Sequence, residues 1–147
     1  MRRTMLALGR VVLILIGLNV ISHEQERKME AADVAPPLSV YRQIQGIDQF
    51  FDVAIRSRDL TMHLEAKQRA TALVDQLEKT PGIGDLRTNH PLRPCLVAAM
   101  SIKLSRVSEW MYVQSRYPSE RERLVVRLNA EDARRALREC DASTTPP

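Results

Sequence analysis

The 147-residue chain holds little of what most recognisable chemistry needs: two cysteines, three histidines, five glycines and an aromatic content of 4%. The glycines form no phosphate-cradling loop, and neither Gly-x-Ser-x-Gly nor Ser-x-x-Lys occurs. Absence of Cys-x-x-Cys-His excludes covalently attached haem. The histidines His23, His63 and His90 are scattered, and no Glu-x-x-His pair of the di-metal bundle type is present. The methionines are dispersed, as core filler is, and do not suggest a copper site. No catalytic constellation, no metal site and no bound cofactor are expected, and the chain reads as a non-enzyme. The remaining cofactor reading is a b-type haem held by His63 and a methionine such as Met100. Its bland counterpart is a partly exposed helix histidine.

Long apolar runs are equally scarce. The longest, Val11 to Ile21, is interrupted in polarity only by Asn19. It follows Arg2, Arg3 and Arg10 in a segment without acids, the pattern of a secretory leader. Eleven residues suit a signal core and are short of the roughly 20 that span a bilayer. Residues 1–22 are therefore expected to be a signal peptide cut ahead of His23, or an uncleaved inner-membrane anchor. A cytosolic protein with an apolar first helix is the third reading. Export places the remainder in an oxidising compartment, the periplasm in a bacterium, where two cysteines pair.

The leader also accounts for the basic balance. It holds three of the 22 basic residues and none of the 18 acids, leaving 19 against 18 in the rest. A net charge of +1 carries no nucleic-acid footprint. Residues 23–37 are polar, then acidic, and end in Pro36-Pro37, which reads as a linker. Residues 38–141 remain as one helical domain with a modest core, and 142–147 as a disordered tail.

Within that domain four helical patterns and no strand are legible. The first covers 38–57, with Ser39 as cap and Val40, Ile44, Ile47, Phe51 and Ala54 along one face. Gly46 lies inside it, which close packing against a neighbour would explain. The second covers 59–79, capped by Asp59, with a stripe of Leu60, Leu64, Ala70, Leu73, Val74 and Leu77. Residues 80–94, rich in proline and glycine, form the one long loop. The third helix opens at Arg93-Pro94-Cys95 and carries Val97, Met100, Leu104, Val107 and Met111 at spacings of three and four. Lys103, Arg106, Glu109 and Gln114 take the opposite side. Pro118 ends this arm. Ser119 to Glu122 make a capping box for a fourth helix with Leu124, Val125, Leu128, Ala133, Leu137 and Cys140. Short links join the first pair and the last pair. The expected fold is an all-α four-helix bundle built from two antiparallel hairpins. Cys95 and Cys140 lie 23 and 22 residues from Pro118, so equal arms bring them together at the open end. A disulfide, or two buried thiols, follows.

The hairpin also resembles a known family. Cys95-Leu96 opening a helix, an aromatic-Pro-Ser-Glu turn at Tyr117 to Glu120, and a return helix with Leu124, Leu128, Ala133, Ala136 and Leu137 closed by Cys140 are similar to the C-terminal half of the Rap/Tai-like immunity proteins. Val97 and Arg138-Glu139 stand where the family usually has proline and Phe-Pro. The resemblance implies a small secreted helical protein that protects bacteria against type VI effectors acting on the cell wall. The expected function is thus a periplasmic binding protein, with partner contacts from Asp85, Arg87, His90 and Arg93 in the loop. A toxin effector is the first partner expected, and a second copy of the chain another. The rivals are a structural or stress-related envelope protein tethered by its leader, and the haem- or metal-binding bundle.

Overall fold

A computed structural model describes residues 36–87 and 89–144. The expected leader and nearly all of the expected linker lie outside these residues. Among the described residues there are four helices and no strand: α1 (Pro37–Ser57), α2 (Leu60–Glu78), α3 (Arg93–Gln114) and α4 (Glu120–Thr144). The last helix runs three residues past the expected end of the domain. No helix among the described residues is long and apolar enough to cross a membrane.

Local sequence explains the helix boundaries. Pro36 and Pro37 open α1, where missing N–H groups leave no donor unsatisfied. Ser39 is not the cap; it lies inside the first turn and its N–H bonds to the Pro36 carbonyl at 2.8 Å. Arg58 closes α1 in the left-handed region, φ 54°. Asp59 caps α2 by accepting from the Met62 N–H at 3.0 Å. The capping box at α4 is fully formed. Ser119 N–H donates to Glu122 Oε2 at 2.6 Å, and Glu122 N–H donates to Ser119 Oγ at 3.2 Å. Those bonds hold the Glu122 carboxyl below its ordinary range, the backbone bond from Ser119 most of all.

The two hairpins pack with α1 against α2, α3 and α4, and with α2 against α3. The main core joins Val40 and Ile44 of α1, Leu73, Val74 and Leu77 of α2, and the inner faces of α3 and α4. Cys95 and Cys140 form a disulfide with Cα atoms 4.5 Å apart, and both residues are fully buried. Among the described residues both cysteines are thus oxidised, consistent with an oxidising compartment.

The inward face of α3 is not the expected one. It buries Cys95, Ala98, Ala99, Ile102, Ser105 and Ser108. Val97, Met100, Leu104 and Met111 lie on the opposite side, each about half exposed. At 100° per residue the two sets are roughly half a turn apart. Small residues win the inner face because they let α3 approach α1 and α4 closely, and Ser105 and Ser108 stay satisfied there. Ser108 Oγ donates to the Ser105 carbonyl at 2.8 Å and accepts from Asn129 Nδ2 of α4 at 3.1 Å. Arg106, expected on the solvent side, turns toward α1. Its guanidinium donates to Asp48 at 2.7 Å and to Glu109 at 2.8 Å. Burial opposes the Arg106 charge, but bonds and attraction from Asp48 and Glu109 outweigh that and raise its pKa above the ordinary value. In α4 the buried residues are Ala133, Ala136 and Cys140, while Leu124, Val125 and Leu128 are exposed. In α2, Leu60 and Leu64 are likewise exposed.

Gly46 is not a close-packing glycine either: it is exposed, and a Cβ placed there would meet nothing within 4 Å. Gly46→Ala should therefore raise the unfolding free energy by up to about 1 kcal/mol, measured by urea denaturation. The disulfide closes a 45-residue separation, worth about 4 kcal/mol by chain entropy. Paired Cys95→Ala and Cys140→Ala substitutions should lower the urea midpoint by a comparable free energy and leave the helical signal in place at low temperature.

Candidate functional site

Three surfaces stand out on this frame: the loop between the hairpins, a cleft between α1, α3 and α4, and the outer face of α2, α3 and α4. A buried aromatic cluster between α1, α2 and α3 is the fourth feature.

The loop is anchored from within. Ile83 and Leu92 are buried in the main core. Gly82 takes φ 80°, a turn conformation that side chains rarely adopt. Asp85 Oδ1 accepts from the Arg87 N–H at 2.9 Å, an Asx-type turn. Arg93 reaches back from the start of α3, donating from Nε to the Ile83 carbonyl at 3.1 Å and from a second nitrogen to the Asp85 carbonyl. His90 Nδ1 accepts from the Leu92 N–H at 3.2 Å. Of the four loop residues expected to meet a partner, Arg93 and His90 hold the loop's own backbone. Asp85 and Arg87 sit at the exposed tip. Between them Leu86 projects with 87% of its surface exposed, more than any other large hydrophobic described. Leu86 carries no sequence signal of its own, because a single leucine in an aperiodic loop has no pattern to mark it.

The cleft has a volume of about 420 Å³. Its floor includes Ile102, Ala133 and Leu137, and its walls carry Arg106, Arg123, Arg127 and Arg134. Internal contacts engage most of that charge. Arg106 is held by Asp48 and Glu109. Arg123 bonds the Tyr112 hydroxyl at 3.4 Å and pairs with Glu120 at 3.1 Å. Arg127 lies 4.0 Å from Glu131. The cleft thus behaves as a solvated, ion-paired seam between hairpins.

His63 is a buried residue, 3% exposed, not a partly exposed helix residue. Its ring stacks on Trp110 with centroids 4.3 Å apart and meets the edge of Phe51 at 5.4 Å. Nδ1 is buried with no hydrogen-bond partner among the described residues. Burial, and secondarily the charge of Lys67, push its pKa below the usual 6.5. Met100 lies on the outer face of α3, ten residues or roughly 15 Å along the helix from Trp110. The structure does not bring His63 and Met100 together as a ligand pair. Among the described residues no cluster of three His, Cys, Asp or Glu could hold a metal ion.

Neither a family model, nor a curated protein, nor a solved structure matches the chain. The site is therefore read from its own geometry.

His63 gives a pH prediction. Its folded pKa lies below its unfolded value, so between the two the unfolded chain carries the extra proton. Stability from neutral His63 is complete above about pH 6.5 and falls as pH drops below that value. Urea midpoints should decline across this range, and His63→Phe should flatten that decline. In an NMR titration the His63 ring should stay neutral to a pH below the ordinary histidine value of about 6.5.

Proposed function

We propose that the protein is a non-enzymatic binding protein of the bacterial envelope, exported to the periplasm, that recognises a protein partner through the tip of the 80–94 loop. The observation that carries this reading is the exposed Leu86 beside Arg87, on a loop whose Ile83 and Asp85 carbonyls accept hydrogen bonds from Arg93. Binding surfaces draw most of their energy from a few apolar and arginine anchors. Anchors that are already ordered avoid the cost of immobilising a mobile loop. Here buried Ile83 and Leu92 and the disulfide-locked α3–α4 hairpin supply that order.

An immunity protein that neutralises a cell-wall-targeting toxin fits this design. It needs no chemistry of its own, only a rigid element that blocks the toxin. The helix-turn-helix closed by Cys95 and Cys140 is the part that resembles the Rap/Tai-like proteins. In this reading Leu86 and Arg87 make the contact, with Asp85 shaping the turn, and His90 and Arg93 position them.

A photo-crosslinking residue at position 86 tests the reading, with the same residue at exposed Gln49 of α1 as control. Both variants are expressed as full chains in cells, and envelope proteins are resolved by mass. A discrete heavier adduct at 86 and none at 49, reduced at least tenfold by Arg87→Glu, is expected. Equal labelling at both positions, or an adduct indifferent to Arg87→Glu, would overturn the loop assignment.

A further inference from the structure

The outer face of α2, α3 and α4 joins more apolar surface than a lone domain ordinarily leaves in water. Along α3 it consists of Val97, Met100, Leu104 and Met111, which are 46%, 48%, 60% and 61% exposed. Val74 and Lys67 of α2 share a groove with Met100, Leu104 and Val107, about 410 Å³ in volume. Leu60 and Leu64 extend that side, at 56% and 53% exposure. On the other flank Met111 and Val125 of α4 line a second hollow, and Leu128, 47% exposed, lies about one turn further along α4. These eight side chains, each between 43% and 61% exposed, gather on one side of the molecule, whereas exposed hydrophobics on a lone domain are ordinarily scattered singly.

Four charges around this face, Lys67, Asp75, Arg121 and Glu139, are arranged self-complementarily; Asp132 pairs with Arg135 within α4, and Lys103 lines the groove between α2 and α3. On α4, Arg121, Val125, Leu128, Asp132 and Glu139 fall on one helical side, with Arg121 near the hairpin turn and Glu139 near the disulfide. On α2, Leu60, Leu64, Lys67 and Asp75 do the same, again with the base toward the turn and the acid toward the disulfide end. Three contacts fix how these stripes line up with α3: His63 on Trp110, Asn129 on Ser108, and Cys95 with Cys140. By those registers the midpoint of Lys67 and Asp75 and the midpoint of Arg121 and Glu139 each fall within about one turn of Leu104. A single two-fold axis near Leu104, perpendicular to the helices, therefore sets both bases of one copy opposite both acids of another. It also lays each apolar stripe antiparallel on its own duplicate, as an isologous interface requires.

We infer that the occupant of this face is a second copy of the same chain, in an antiparallel dimer centred on Leu104. The 80–94 loops then lie at opposite ends, away from the interface, so the dimer presents two recognition tips. This inference goes beyond the loop reading and does not depend on it.

The protein purified from the envelope fraction, with whatever N-terminus it carries there, is examined by sedimentation velocity from low to high micromolar concentration. Wild type should sediment as a dimer. Leu104→Glu should weaken association more than tenfold while circular dichroism and the urea midpoint stay close to wild type. Should Leu104→Glu fail to fold, the surface variant Arg121→Glu keeps the test alive. It should weaken the dimer several-fold, and adding Glu139→Arg in the same chain should restore it. A wild-type monomer at all concentrations overturns the inference, as does a dimer indifferent to both Leu104→Glu and Arg121→Glu. A heavier species that contains another protein in place of the second copy overturns it too.

Discussion

The covalent and steric closure of α3 on α4 is the constraint from which the rest follows. Cys95 and Cys140 hold the open end of the hairpin with their Cα atoms 4.5 Å apart. So close an approach is feasible only between helix faces built from small residues. Ala98, Ala99, Ser105 and Ser108 provide that face on α3, and Ala133 and Ala136 provide it on α4. A thin seam of this kind buries modest apolar area per residue. The disulfide compensates by reducing the freedom of the unfolded chain.

Close packing through small residues has a second consequence. With the inner faces built mainly of alanine, serine and cysteine, joined by Ile102 on α3, leucines and methionines such as Met100, Leu104 and Leu128 are displaced outward. Leu104 and Met111 of α3 and Leu128 of α4 therefore meet water. The polar side chain that a simple amphipathic helix would expose, Arg106, is drawn instead into the crossing with α1 by Asp48 and Glu109. In effect α3 is turned around its axis relative to its most apolar stripe. That orientation creates both the charged crossing between hairpins and the outer apolar face.

The loop joining the hairpins is shaped by the same economy. It contributes Ile83 and Leu92 to the core, so its ends cannot drift. Arg93 then donates to the carbonyls of Ile83 and Asp85. The proposed contact is narrow: Leu86 and Arg87, on a turn shaped by Asp85.

The sequence by itself determined the number of helices, most of their ends and their pairing into hairpins, and it brought the two cysteines to one end; the structure decided that they bond. Those features rest on local rules: proline and capping residues at termini, apolar periodicity, and equal arm lengths about Pro118. The Asp59 cap and the Ser119–Glu122 box needed no tertiary information, because they act within one turn. The inward face of α1, with Val40, Ile44, Phe51 and Ala54, was legible in the sequence, whereas only the tertiary structure decided which side of α3 faces inward. Hydrophobic periodicity identifies a face but cannot state whether the interior accepts large or small side chains, and at α3 the close crossing selected alanine and serine over methionine and leucine. His63 was likewise invisible as a core residue until Phe51 and Trp110 closed around it. Arg93 and Leu86 were separated only by folding. One turns in to bind backbone and the other is left projecting, because the carbonyls of Ile83 and Asp85 lie within reach of the arginine alone.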